Sequence, residues 1–192
     1  MNYYFMTSKS IDTWAYVSNP ERYLSKCEKC DANISHYRFP LKYELVGKKL
    51  GDSAFMGGYH LFSKKVVDLF KENNIKGVEF KQTICTKWTD RKGNECDKGE
   101  VQYYYPYLST CGFLHDSAGN VFDMCISCHK PKYHNYLGAY FIESDWDGSD
   151  IFAFENLVNL PIVTENLKNL IIKNKLKNIR FEDISKRKFG FF

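Results

Sequence analysis

The sequence predicts an α+β fold made of two related halves, each a cysteine knuckle followed by a strand–helix–strand unit. Three observations predict it: two Cys-x-x-Cys pairs, two segments of matching residue class, and an aromatic stretch between them. The chain has 192 residues, a length that suits one domain. Hydrophobic residues make up 44%, enough for a packed interior. We therefore read 1–192 as a single domain, with halves of about 1–86 and 112–192 and a hairpin insert at about 87–111.

The elements follow in order. Residues 2–6 (NYYFM) read as a short strand. Ser18-Asn19-Pro20 is a turn or helix-start signal, and Cys27-Glu28-Lys29-Cys30 follows. Polar and aromatic residues run on to Gly57-Gly58, and no element stands out among them. Tyr59, Leu61 and Phe62 end a strand, Ser63 is a helix N-cap, and Val66, Val67, Leu69 and Phe70 recur at helical spacing. Asn73-Asn74 stops the helix and Gly77 turns the chain. Val78, Phe80 and Ile84 then alternate as in a strand.

The same pattern returns from residue 162 onward, 101 residues after Leu61. Ile162 and Val163 match Leu61 and Phe62, and Thr164 matches Ser63. Leu167, Leu170 and Ile171 match Val66, Leu69 and Phe70, and Ile179 and Phe181 match Val78 and Phe80. Agreement in residue class is what a shared fold needs. Between the halves, Asp90, Gly93, Asn94 and Gly99 mark turns. Residues 100–108 (EVQYYYPYL) read as an aromatic strand that Pro106 bends or confines to an edge.

Cys27, Cys30, Cys125 and Cys128 carry the strongest chemical signal. Two sulfurs two residues apart grip one ion from a tight turn, and two such turns supply the four ligands of tetrahedral zinc. Thiolates are soft ligands that favour zinc over magnesium or calcium. Four sulfurs leave no open position, so the expected site is structural. Compact ribbons separate their pairs by roughly 15–20 residues; here the fold must bring distant turns together, which makes the ion a staple between halves. The residues after the pairs are Asp31 and His129, types that enter the left-handed backbone region more readily than most.

Three other readings of the cysteines compete. Cys125-Ile126-Ser127-Cys128-His129 is literally a c-type haem sequence, a CxxC can be a redox dithiol, and thiols can simply be buried. The haem reading needs export and leaves Cys27 and Cys30 unexplained. Cys85 reads as core, Cys96 as an exposed thiol in a turn, and Cys111 with His115 as a second metal site without evident further ligands. His36, His60 and His134 read as surface or hydrogen-bonded side chains.

Net charge is +4, from 27 basic and 23 acidic residues, too balanced to point to nucleic acid. The basic run from Lys173 to Lys188 reads as a solvated helix face and tail. No run approaches the ~18 apolar residues of a membrane span, and the N-terminus lacks a secretory pattern. The expectation is a cytoplasmic protein with reduced thiols and no membrane partner. No phosphate loop, nucleophile elbow or HExxH is present. The acidic stretch Glu143, Asp145, Asp147, Asp150 around Trp146 reads as a turn with Trp146 packed inward rather than as a recognition loop.

The order CxxC, strand–helix–strand, CxxC, aspartate loop (DWDGSDIF, 145–152), strand–helix–strand resembles the double-CXXCG proteins of bacteria. Some of these act as immunity proteins in polymorphic or contact-exchanged toxin systems. The phrases FSKKVVDLFKENNIKGVEF and IVTENLKNLIIKNKLKNIRF are similar to a recurrent phrase of other immunity families. The resemblance implies metal ligands and no catalytic residues, and a cognate protein toxin as partner. A zinc-containing nucleic-acid-binding module is the alternative of another class, and a metalloenzyme a third. Aromatic content is 17%, and Tyr103, Tyr104, Tyr105 and Tyr107 form the first candidate contact surface, the Trp146 loop the second.

Overall fold

A computed structural model describes residues 2–8, 14–18, 22–57, 59–97, 99, 101–130, 132 and 136–189. Asn19, Pro20, Gly58, Glu100 and His134 lie outside them. The fold is mixed α+β and mostly strands. In chain order these are β1 (Tyr3–Ser8), β2 (Trp14–Val17), β3 (Arg22–Lys26), β4 (Asn33–Tyr37), β5 (Leu41–Val46), β6 (Ser53–Met56), β7 (Tyr59–Ser63), α1 (Lys64–Glu72), β8 (Val78–Thr89) and β9 (Tyr103–Leu108). They continue with β10 (Tyr136–Leu137), β11 (Ile151–Phe154), β12 (Leu157–Thr164), α2 (Glu165–Lys173), β13 (Ile179–Asp183) and β14 (Lys188–Phe189).

Six strands close a barrel in the order β2-β5-β8-β9-β7-β6, and four form an open sheet, β11-β12-β1-β13. The barrel contradicts the idea of a central excursion. β8 and β9 do pair antiparallel, but β9 is a barrel stave and Tyr103 is only 2% exposed. Pro106 pairs with Phe80 where β9 has already left β7, whose pairing stops at Tyr104. Its missing N–H therefore breaks no ladder. Strands β4, β5 and β6 fall in the stretch where no element stood out. β5 alternates buried Leu41, Tyr43 and Leu45 with exposed Lys42 and Glu44, a period of two that its short length hides.

Two parts of the molecule share much of their local bonding. α1 follows Ser63 and α2 follows Thr164, both extended. Thr164 Oγ1 accepts from Leu167 N–H, whereas Ser63 Oγ donates instead to Asp52 Oδ1 at 2.9 Å, so only Thr164 caps with its side chain. Asn73 and Asn174 each donate from Nδ2 to the carbonyl four residues back, at 2.8 and 2.9 Å. Val66 and Leu167 are buried; Leu69 and Leu170 are half-buried against the same core. In the barrel, Phe62 pairs with Tyr104 on β9; in the open sheet, Val163 pairs with Tyr4 on β1. Phe80 pairs with Pro106, and Phe181 with Met6. By sequence β1 precedes the first knuckle and β9 the second, yet each pairs with the strand–helix–strand segment that follows the other knuckle.

A pair of aspartates ties these segments crosswise. Asp52 O accepts from Ser63 N–H, and its side chain accepts from Lys177 N–H at 2.6 Å. Asp150 O accepts from Thr164 N–H, and its side chain accepts from Lys76 N–H at 3.0 Å. Both helices share one core, with Val66, Phe70, Leu167 and Ile171 packed around Met6, Phe62 and Val163. A second core fills the barrel around Tyr43 and Tyr103. A third lies on the other face of the open sheet around Phe141, Phe152 and Phe154. Asn156, fully buried beside it, accepts from Leu114 N–H and donates to Leu114 O and Phe122 O, so its amide is satisfied.

His60 is 5% exposed, with Nδ1 3.1 Å from Ser8 Oγ, and burial pushes its imidazole down to about 4. The unfolded chain takes up that proton near pH 6.5 and the folded chain does not until near pH 4, so acid favours unfolding across that window. Stability carried by the neutral ring is complete above pH 6.5, and on the order of 3 kcal/mol is lost as pH falls to about 4. Urea midpoints measured at pH 7 and pH 4.5 should differ less in His60→Gln than in the unaltered protein. Equal differences would show that the buried ring does not set this slope.

Candidate metal centre

Each Cys-x-x-Cys sits in a tight turn of the same construction. The first lies in the loop of the β3–β4 hairpin, closed by the Lys26–Asn33 pair. Asp31 N–H donates to Cys27 O at 2.8 Å, and Cys27 N–H donates to Ala32 O at 3.0 Å. In the second, His129 N–H donates to Cys125 O at 2.8 Å and Cys125 N–H to Lys130 O at 2.9 Å. Asp31 and His129 take the left-handed conformation, with φ of 55° and 54°. The place that glycine would fill is held by two residue types that tolerate it. Lys26 with Asp31 and Lys132 with Asp123 brace the two loops from outside.

The fold brings the two turns together. Cys27 Sγ lies 3.7 Å from Cys125 Sγ, and Cys30 Sγ 3.7 Å from Cys128 Sγ. All four sulfurs lie within 4.8 Å of one another, a group that could hold a metal ion. Cys27 and Cys125 are buried, Cys128 is half-buried and Cys30 exposed. The N–H groups of Lys29 and then Cys30 hold the Cys27 thiol down to about 6, against its burial. Those of Cys128 and Ser127 lower the Cys125 thiol. The second thiol of each pair is driven the other way. For Cys30 the Ala32 N–H is outweighed by local desolvation and the facing sulfurs, which push the thiol up to about 12. Cys128 is likewise raised despite the Lys130 N–H. Four anionic sulfurs cannot coexist so closely without a cation between them.

No family model matches the chain, and no curated protein matches it.

The remaining cysteines stand apart from this cluster. Cys111 is buried, and burial raises its thiol to about 11. His115 is also buried, with its ring stacked on Tyr140. Among the described residues no other group of three or more His, Cys, Asp or Glu side chains is close enough to hold an ion. Cys85 and Cys96 are half-buried. His36 Nε2 lies 2.7 Å from Ser25 Oγ, and its ring stacks on Tyr23. Trp146 is half-buried: its Nε1 donates to Ser149 O and its ring meets Tyr3 edge-on, so the acidic loop is a turn closed by an inward Trp. Of the candidate contact tyrosines, Tyr103 is core and Tyr107 is 58% exposed. Among the described residues no helix is long and apolar enough to cross a membrane.

Proposed function

We propose that the four thiolates hold one structural zinc ion that staples two duplicated halves, and that the stapled domain is a non-enzymatic immunity protein acting in the cytoplasm. The sulfur geometry carries the first part. A tetrahedron of sulfurs about 2.3 Å from zinc has edges of about 3.8 Å, and the two short sulfur–sulfur distances are 3.7 Å. The donor set is all sulfur, which leaves no position for water or substrate. Thiols kept unpaired for ligation suit a reducing compartment.

The functional part rests on the motif order and on what the site does mechanically. Neutralising a toxin by binding needs a rigid surface, because ordering a mobile one on contact costs affinity. Zinc and the crossed aspartates hold the halves in one relation. The exposed Tyr107 and Phe39 flank Lys81, whose Nζ lies 4.6 Å and 5.2 Å from their ring centroids. Aromatic side chains of this kind supply contact area at low entropic cost. Tyr103 drops out of the contact surface and Tyr107 remains.

Co-expression tests the proposal. The protein should rescue bacteria from the toxin encoded beside it and form a one-to-one complex with that toxin, and Tyr107→Ala should weaken the complex. Failure to rescue, with the domain folded and zinc-loaded, would remove the immunity reading and leave the metal reading standing.

A further inference from the structure

We propose that the outer wall of the barrel binds single-stranded nucleic acid, with phosphates held in a cationic cleft at the barrel's end. The cleft, about 320 Å³, is lined among the described residues by Lys48, Lys49, Arg91 and Lys92 and by the carboxylate of Asp90. The oxygens of that carboxylate already accept hydrogen bonds from Lys92 N–H, Asn94 N–H and Asn94 Nδ2. The two turns that carry the cations are locked together: Gly47 N–H donates to Thr89 O at 2.9 Å, and Trp88 Nε1 donates to Gly47 O at 2.7 Å. The backbones of the two cationic turns are therefore set against each other before any ligand arrives.

Aromatic rings continue from the cleft along the wall. Arg91 lies 5.3 Å over the Trp14 ring. Trp14 pairs with Phe55 across β2 and β6. Ala15, Ala54 and Met56 point into the barrel, so Trp14, Tyr16 and Phe55 point out. Tyr16 is 56% exposed and Phe55 43%. Among the described residues of β2, β5 and β6 the one acid is Glu44, opposite Tyr16. Cations that track a backbone beside open rings that stack bases are the two requirements for single strands. The exposed rings of Tyr16 and Phe55 favour a nucleotide, whose bases stack on them, over an acidic side chain, which has no such face.

The repeat shows that this charge is not demanded by the fold. Asp52 and Asp150 occupy the same place in the crossed clamp. The turn before Asp52 carries Lys48 and Lys49, while the turn before Asp150 carries Asp145 and Asp147. One framework tolerates opposite signs. The near-balanced composition conceals the cluster because acidic residues elsewhere in the chain offset it.

The test uses the full-length, metal-loaded protein and a fluorescein-labelled 20-mer of thymidylate, read by anisotropy. Affinity should fall roughly 20- to 50-fold between 50 and 200 mM salt if three or four phosphates are neutralised. Lys48→Ala with Lys92→Ala should weaken binding at least tenfold and flatten that salt dependence. Tyr16→Ala should weaken it about tenfold at every salt concentration. Lys173→Ala with Lys175→Ala, on the other basic stretch, should change nothing. Thermal melting of each variant verifies folding. No binding at 50 mM salt, or binding indifferent to the Lys48 and Lys92 changes, overturns the proposal. So does competition by polyglutamate as effective as by unlabelled oligonucleotide, which would make the wall a dock for acidic protein. Toxin rescue is scored separately, so either role can fail alone.

Discussion

Cys27→Ser is expected to lower the unfolding free energy by more than about 4 kcal/mol, the largest effect of any single substitution at the metal centre. Cys27 is buried and its sulfur sits 3.7 Å from that of Cys125, 98 residues away. A cross-link that closes about 100 residues restricts the unfolded chain by on the order of 4–5 kcal/mol on the chain-entropy account. On the proposed zinc reading, metal–thiolate bonding formed only in the folded state adds to that. Elemental analysis of the purified protein should find one zinc per chain, and denaturant titration should show the loss in Cys27→Ser. Cys96→Ser, at a half-buried turn thiol outside the cluster, is the control and should behave as the unaltered protein. Unchanged stability after chelation would remove the staple, and a haem Soret band would replace zinc with another cofactor.

Gly77→Ala is expected to cost about 3 kcal/mol or more, although it adds one methyl group. Gly77 follows α1 with a φ of +96°, a region that L-residues rarely enter. A Cβ there would also run into the carbonyl oxygen of Ile151 and the Ser149 side chain, and backbone cannot move aside cheaply. The strain falls where Lys76 N–H meets Asp150, so the crossed clamp should loosen with it. Asn178, at the matching place after α2, has a φ of 62° and donates to Ser53 O. Asn178→Gly should therefore lose a hydrogen bond but gain an easier backbone, and destabilise far less. Midpoints of urea unfolding for the two variants check this contrast. A Gly77→Ala protein as stable as the unaltered one would mean that the close approach of the two segments is not rigid.

Both strand–helix–strand segments were legible because each helix has an apolar face, a hydroxyl at its start and Asn at its end. The four thiols were legible because a spacing of two residues has few other uses. The barrel was not. β5 and β6 are six and four residues long, too short for alternation to stand out. β9 read as an excursion because Pro106 and neighbouring Tyr residues look like an edge, and only pairing with both β7 and β8 makes Tyr103 core. Asp52 and Asp150 gave no signal, since a carboxylate that satisfies the backbone of a distant turn is a long-range partner with no local pattern.

The sequence alone determined which residues can ligate a soft metal and where two helices start and stop, because these depend on side-chain chemistry and on neighbours within one turn. Only the tertiary structure decided that the two knuckles meet, that β1 and β9 each pair across the knuckle boundary, and that Lys48, Lys49, Arg91 and Lys92 share a cleft. Those facts depend on strand partners far apart in the chain, and pairing at that range is set by burial of the whole core rather than by any local run of residues.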